Sequence, residues 1–208
     1  MHRSLNEIES ILVKAVRGAG LPHGVAVDAA RAGRWLCRYG QDGVGAVLTG
    51  CRQSSGVTVR NVDRAGPTLL QGGAVAACVA AVDAVQVKAK FNKLIVQGLQ
   101  SPELLIGLAS VAALDRGIAF HLRTNEVAAE LDGAWPDNIL VPIDDAGDMT
   151  LALSAHCHSI AEPTRCARGA DVMPSVWQDA DSLAARTYVP STSQSRERGA
   201  GAGLSDND

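Results

Sequence analysis

Aromatic residues are scarce in this chain of 208 residues, since Trp, Tyr and Phe together account for 3% of it. The hydrophobic fraction is nevertheless 47% and is supplied mainly by alanine, valine and leucine. A chain of this length buries roughly 70% of the surface that its unfolded form exposes, so neither a disulfide nor a metal is needed to hold a core together. We therefore expect a core of small, closely packed aliphatic side chains. Its few large members would be Trp35, Trp135, Trp177, Phe91 and Phe120.

The sequence also lacks the long apolar runs of membrane and secreted proteins. No stretch reaches the run of about eighteen apolar residues that indicates a transmembrane helix. The opening residues, MHRSLNEIESILVKAV, are polar and acidic where a signal peptide has an uninterrupted apolar segment. We therefore predict a cytoplasmic protein without a membrane partner.

Blocks of like charge and paired-cysteine motifs are missing as well. The net charge is −3, with both signs dispersed along the chain, which argues against nucleic acid as a partner. The five cysteines form an odd set without a CxxC motif, and such a set indicates reduced thiols rather than a disulfide framework.

Helical spacing dominates residues 1–52 and predicts an N-terminal lobe of helices. Ser4 and Glu7 have the spacing of a capping box in front of apolar residues that recur every three or four positions, until a pair of glycines ends the pattern. A second helix is predicted from Pro22 to Gly40, and a short apolar segment, Gly45–Cys51, follows it.

Residues 53–190 alternate between strand and helix patterns. The predicted strands are Val57–Val62, Leu94–Leu99, Ile118–Leu122, Asn138–Ile143 and Met149–His156, and the predicted helices are Ala74–Val85, Ser101–Leu114 with Ser101 as its hydroxyl cap, and Pro174–Ala185. The helix from Ser101 lies between two strands, so a βαβ-like unit with parallel pairing is expected. The fold class is therefore α/β or α+β. A helical N-terminal lobe precedes a mixed sheet with packed helices, and a glycine-rich segment over residues 191–208 completes one compact unit.

Two histidines give the chain its most metal-like spacing. If the strand continues through Ala155–His158, His156 and His158 point to one face, where two imidazoles can bind zinc or another transition metal. A third ligand is required, and Cys166, Asp171 or the terminal aspartates are candidates. The alternative is that both histidines are polar residues at the solvated end of a strand.

The end of the chain concentrates residues that bind ligands. Arg196 and Arg198 precede three alternating glycines, and Ser205, Asp206, Asn207 and Asp208 end the chain. Arginine beside backbone amides suits an anion, whereas the final carboxylates and amide suit a hydroxyl, an amine or a metal. The segment is not a nucleotide loop, because it has no preceding strand and no Walker lysine. Composition alone predicts a disordered tail.

Other polar residues have simpler interpretations. Arg34 and Arg38 are four residues apart on the second predicted helix and could face an acidic ligand, although a solvated helix face is the interpretation that we favour. His121 lies in an apolar strand, which is typical of a core histidine with a hydrogen-bond partner. The stretch Asp144–Asp148 is predicted to be a turn, because it lacks the ligand spacing of a calcium loop. His23 is expected to cap the second helix or to face solvent.

Three stretches together carry a resemblance to a known family. They are Ser4–Glu9 with Lys14–Ala15 and Arg17–Gly20; Ala29–Leu36; and Thr187–Ser191 with Ser195–Arg196 and Gly199–Asp208. In these stretches the chain resembles DUF3726, a bacterial and mostly proteobacterial family of unknown function. The family has a bulky aromatic residue where this chain has His23, which argues against a catalytic role for His23. The resemblance implies no activity or cofactor. Because it includes the last residues, it favours a specific, ordered ending over a disordered one.

Three functions are compatible with the sequence, and none of them assigns a catalytic residue or a cofactor. The first is an enzyme or binding protein for a small anionic molecule, with the C-terminal segment closing over a pocket between the helical lobe and the sheet. The second is a non-catalytic homo-oligomeric assembly protein, built through close contacts of alanine- and glycine-rich helices. The third is a metal-dependent hydrolase or lyase that uses His156 and His158.

Overall fold

The helical spacing at the start of the chain produces helices where it predicts them. We describe the protein from a computed structural model that covers residues 1–52, 58–61, 68–71, 74–86, 94–97, 99, 101–124, 128–136, 149–153 and 167–188. Its first helices are α1 (Leu5–Gly18), α2 (His23–Arg38) and α3 (Gly43–Arg52). The short apolar segment after the second helix is therefore a helix itself.

The capping box of α1 forms as the sequence predicts. The Ser4 hydroxyl accepts a hydrogen bond from the Glu7 amide at 3.2 Å, and the Glu7 carboxylate accepts one from the Ser4 amide at 2.9 Å. The bonds from Ser4 and the nearby Arg3 lower the pKa of Glu7. The apolar face that follows is buried along its length, from Leu5 to Val16.

Three further helices belong to the described part of the chain: α4 (Ala74–Gln86), α5 (Pro102–Arg116) and α6 (Pro174–Ala185). Gly117, with φ of +62°, ends α5 in the left-handed conformation that glycine adopts without strain. The predicted hydroxyl cap of α5 is wrong. The Ser101 hydroxyl accepts no hydrogen bond from the amides at the start of the helix, and it instead donates to the Glu103 carboxylate at 3.4 Å.

The strands of the described residues form a six-stranded mixed sheet and a separate two-stranded ribbon. In chain order they are β1 (His2–Ser4), β2 (Thr58–Asn61), β3 (Thr68–Gln71), β4 (Leu94–Gln97), β5 (Phe120–Arg123), β6 (Ala128–Leu131), β7 (Met149–Leu153) and β8 (Gly169–Asp171). The order in the large sheet is β2-β3-β4-β7-β5-β6, with β3 and β4 parallel and all other neighbours antiparallel. The fold is α+β, with a helical N-terminal part.

The expected parallel pairing around α5 is wrong. The strands on either side of α5, β4 and β5, both pair with β7, which lies antiparallel between them. Leu151 of β7 is opposite Leu94 on one side and Leu122 on the other, and all three side chains are buried. Because β7 lies between β4 and β5, Leu151 links Leu94 and Leu122 into one apolar row across the sheet.

The alternation of side chains along β5 decides whether His121 is buried or exposed. Alternate residues of a strand point to opposite faces, and in β5 Phe120 and Leu122 are buried while His121 and Arg123 are exposed. His121 is therefore not the core histidine that the apolar context predicts.

The ribbon of β1 and β8 joins the first residues of the chain to the segment before α6. Arg3 is paired with Ala170, and its guanidinium lies 4.5 Å from the centre of the Trp177 ring on α6. The Leu5 amide, at the start of α1, donates to the Arg168 carbonyl at 3.1 Å. Strands of three residues leave no periodic pattern, so the sequence does not predict this ribbon.

Small side chains make up much of the core, as expected from the scarcity of aromatics. On α2 the buried residues include Ala26, Ala29, Ala30, Ala32 and Gly33. The three cysteines of the described residues are buried and free, and burial raises the pKa of the Cys37 and Cys51 thiols to about 11. None of the described helices is long and apolar enough to cross a membrane.

The contact between α2 and α3 depends on two glycines. A Cβ at Gly43 would fall on the Gly33 carbonyl and lie 2.9 Å from the Leu36 Cβ. Because the obstacle includes backbone, we predict that Gly43→Ala lowers the free energy of unfolding by about 1–3 kcal/mol. Urea denaturation followed by circular dichroism measures it.

A matched substitution at Gly24 should change the free energy of unfolding in the opposite direction. This glycine lies in α2, and a Cβ added to it would have no neighbouring atom within 4 Å. Gly24→Ala should stabilise the protein by about 0.4–1 kcal/mol, because alanine restricts the unfolded chain more than glycine does. Equal effects of the two substitutions would contradict the proposed α2–α3 contact.

Candidate functional site

A cleft of about 570 Å³ opens between the start of α1, one face of α2, the C-terminal half of α5 and residues 167–168. Pockets that hold small ligands have volumes of roughly 300–1,000 Å³. Four arginines line this cleft together with two carboxylates, Glu9 and Asp115. We refer to it as the arginine cleft.

Three of the four arginines come from one face of α2. Arg31, Arg34 and Arg38 follow one another at intervals of three and four residues, so their side chains leave the helix on the same side. The other side of α2 is held in the core by its buried alanines and by Leu36. The arginines must therefore face outward, into the arginine cleft.

Two of these arginines are held by carboxylates from neighbouring helices. Arg31 donates to both oxygens of Asp115 on α5, each at 2.7 Å, and Arg34 donates to Glu9 on α1 at 2.7 Å. The Arg31–Asp115 bonds raise the pKa of Arg31 and lower that of Asp115. The side chains of both arginines keep substantial exposure, 38% for Arg31 and 44% for Arg34.

Ion pairs this exposed contribute at most about 1 kcal/mol each to stability. Their larger effect is on orientation: the two-point contact with Asp115 fixes the plane of the Arg31 guanidinium, and Arg34 is held by one bond to Glu9. Arg31 uses two of its five N–H donors on Asp115, and Arg34 uses one on Glu9. Both side chains are therefore positioned with donors left for a further acceptor.

The fourth arginine reaches the cleft from outside the helices. The Arg168 carbonyl is bound by the first amide of α1, which places Arg168 beside the start of that helix. The N-terminal end of a helix carries partial positive charge, so this side of the cleft also favours an anion. The Ser4 hydroxyl, which lines the same side, is already engaged in the capping box.

Trp35, Val111 and Leu114 give the cleft an apolar surface. Trp35 is 5% exposed, and its indole N–H donates to the Gly133 carbonyl at 3.0 Å. Its ring packs against those of Tyr39 and Trp135, with centroids 4.7 and 5.7 Å away. Val111 and Leu114, three residues apart on α5, extend this apolar surface. The packed ring of Trp35 and the two α5 side chains thus lie beside the arginines.

A smaller cavity of about 90 Å³ lies behind the Arg31–Asp115 pair, which lines both spaces. Its lining includes Asp28 and Asp83. Burial, followed by the charge of Asp83, raises the pKa of Asp28. Within the part of the chain that the structure describes, no group of His, Cys, Asp or Glu side chains is arranged to hold a metal ion.

The residues that the sequence singles out for metal or ligand binding lie outside the described residues. They are His156, His158, Arg196, Arg198, Ser205, Asp206, Asn207 and Asp208. The roles given to them above stay predictions, and the same holds for the turn at Asp144–Asp148.

The structure changes the interpretation of the α2 arginines. Arg34 and Arg38, for which a solvated helix face is the favoured interpretation from sequence, line the cleft with Trp35 between them. Arg31 lies three residues before Arg34 and continues the helical spacing, but it is not among the residues singled out from the sequence. Arg168 and Asp115 have no comparable signal, because the ribbon and the packing of α5 bring them to the cleft.

The fold and the cleft together define an α+β protein whose helical N-terminal part carries the candidate site. The sequence model of a family described as protein of unknown function (DUF3726) matches residues 3–76, which supports membership of the chain in that family. The resemblance found in the sequence is confirmed over these residues, which include α1, α2 and α3. Its C-terminal part stays a prediction.

Two other comparisons add little about function. No curated protein gives a significant match to the chain. Among solved structures, the sulfolactate dehydrogenase from Methanocaldococcus jannaschii is similar over 59% of this chain, with a TM-score of 0.41 and 12% sequence identity. The matched region spans only 40% of that enzyme. A likeness this distant carries no argument about activity.

The two aspartates around Arg31 should affect stability with opposite signs. The pKa of Asp28 is raised in the folded protein, so its charged form destabilises the protein at pH values above its unfolded pKa of about 3.9. The pKa of Asp115 is lowered, so its charged form stabilises the protein over the same pH range. At about pH 7 we expect Asp28→Asn to raise the free energy of unfolding by up to ~0.5 kcal/mol. Asp115→Asn should lower it by up to ~1 kcal/mol.

The change in unfolding free energy caused by each of the two substitutions should become smaller as the pH falls. Below the unfolded pKa Asp28 is protonated in both states, and the stabilisation from Asp115 is lost as the pH falls through its folded pKa. Urea denaturation of both variants at several pH values checks this. A change of the same sign for the two variants at neutral pH would contradict the assignment of the two environments.

Proposed function

We propose that this protein binds a small anionic molecule in the arginine cleft. The observation that carries the proposal is the placement of four arginines around a ligand-sized cleft, two of them fixed by carboxylates at 2.7 Å. Guanidinium groups bind carboxylates and phosphates through paired N–H donors, and pre-positioned groups lose less entropy on binding. Among the described residues of the lining, the four arginines outnumber the two carboxylates, which supports a negative ligand.

Binding is better supported than acid–base catalysis by the same residues. A general base needs a pKa near the working pH, but Arg31 lowers that of Asp115. The Ser4 hydroxyl donates to Glu7 at 2.8 Å, which leaves it engaged in the helix cap rather than beside a base. We therefore assign the cleft the recognition of an anion and assign no catalytic residue.

The proposal is tested by removing one arginine of the cleft. Arg34→Gln deletes donors and leaves Glu9 facing the ligand, so the affinity for inorganic phosphate and succinate should fall about 10- to 100-fold. Isothermal titration calorimetry at low ionic strength measures both anions, because salt screens half-exposed charges.

Arg17→Gln is the matched control. Arg17 lies in the last turn of α1, is exposed, and does not line the cleft. The substitution removes the same charge and should change the affinity less than about twofold. Equal weakening by both substitutions indicates nonspecific attraction, and the absence of binding by the unaltered protein contradicts the proposal outright.

The C-terminal segment remains part of the proposal as a closing segment. The motivation is chemical: Arg196 and Arg198 would add anion-binding groups, and Ser205–Asp208 would add hydroxyl, amide and carboxylate groups. Deletion of Leu204–Asp208 should weaken succinate binding and lower the thermal stability of the complex. If affinity, stability and oligomeric state all stay unchanged, the segment has no role in the site.

The other expectations from sequence stay predictions. They are a homo-oligomeric assembly, a metal-dependent hydrolase or lyase based on His156 and His158, a cytoplasmic location, and the absence of a nucleic-acid partner. Among the described residues the large exposed hydrophobic side chains are Met1, Met173 and Tyr188. Three such residues do not favour an oligomer interface over the arginine cleft.

A further inference from the structure

We propose that the ligand of the arginine cleft is amphipathic: an oxyanion head group attached to an apolar body of several carbon atoms. This inference rests on the proposed function and adds the chemical class of the ligand. It follows from the size of the cleft and from the partly exposed apolar side chains that line it beside the arginines.

The cleft is too large for a simple inorganic anion. At roughly 30 Å³ for each water molecule, a volume of 570 Å³ corresponds to about nineteen waters. A carboxylate or phosphate group replaces only a few of them. A cleft of this volume therefore has room for a further part of the same molecule beside the head group.

Apolar side chains stand beside the charged ones around the cleft. The α2 helix presents Trp35 among its arginines, and α5 presents Val111 and Leu114 beside Asp115. Val111 and Leu114 are both partly exposed, so each has surface that a ligand can cover. Covering apolar surface contributes roughly 25 cal/mol for each Å² removed from water.

Trp35 also lines the cleft, and its indole N–H is not available to a ligand. It follows Arg34 in the chain and lines the cleft, but its N–H already donates to the Gly133 carbonyl at 3.0 Å. Trp35 therefore adds apolar atoms to the lining, next to the arginines of the same helix.

The arginines limit the head group to an oxyanion. Among the described residues that line the cleft, four are arginines and two are carboxylates. Guanidinium groups bind the oxygen atoms of carboxylates and of phosphate monoesters through paired N–H donors. Carboxylates and phosphate monoesters share the chemistry that the arginines recognise, and the test includes both.

Two ligand series at constant head-group charge test the inference by isothermal titration calorimetry. The first is acetate, butyrate and hexanoate, and the second is inorganic phosphate and butyl phosphate. Affinity should rise roughly fourfold for each added methylene until the apolar surface is covered. Butyl phosphate should bind more tightly than inorganic phosphate.

Val111→Thr is the diagnostic variant, since threonine keeps the shape of valine and replaces a methyl group by a hydroxyl. It should weaken hexanoate about fourfold and leave inorganic phosphate unchanged. Val13→Thr is the matched control, because Val13 is also a partly buried helical valine but does not line the cleft. It should leave every affinity unchanged.

The outcomes separate this inference from the proposed function. If phosphate and acetate bind, Arg34→Gln weakens them, and chain length has no effect, the cleft binds anions and the amphipathic class is wrong. If hexanoate binds with the same affinity to the unaltered protein and to Val111→Thr, it binds elsewhere and the inference is again wrong. If no anion of either series binds, the proposed function fails together with the inference.

Discussion

The packing of α2 is the constraint on which the rest of the structure depends. This helix contacts α1, α3, α4 and α5, and it can do so because most of its buried residues are alanine or glycine. At Gly33 the approach of α1 and α3 leaves no space for a Cβ, which would lie 2.6 Å from Leu12 of α1 and 3.0 Å from Val47 of α3. Small residues on one side fix the rotation of the helix, and that rotation directs Arg31, Arg34 and Arg38 outward.

The candidate site is consequently a result of how helices meet rather than of a loop motif. Arg31 joins α2 to α5 through Asp115, and Arg34 joins α2 to α1 through Glu9. The same half-exposed pairs that contribute little to stability keep the guanidinium groups at fixed positions beside Trp35. The ribbon of β1 and β8 adds Arg168 from a part of the chain distant in sequence.

Much of the fold was accessible from sequence because its signals are local. The capping box at Ser4, the apolar spacing of α1 and the proline at the start of α6 each act within a few residues, and the corresponding helices lie where they were predicted. The strand pairing was not accessible in this way. Nothing near Leu94 or Phe120 indicates that β7 will lie between β4 and β5, since that choice depends on residues far along the chain from both strands.

The sequence by itself determined the helical N-terminal part, the small-residue core and the outward face of α2, because periodicity and residue size act through the local backbone. Only the tertiary structure decided that this face borders a cleft. Asp115, Val111 and Leu114 reach it because α5 packs against α2, and Arg168 reaches it because β8 pairs with β1. Such contacts join residues far apart in the chain, and their free energy depends on the fit of whole surfaces, which no local pattern encodes.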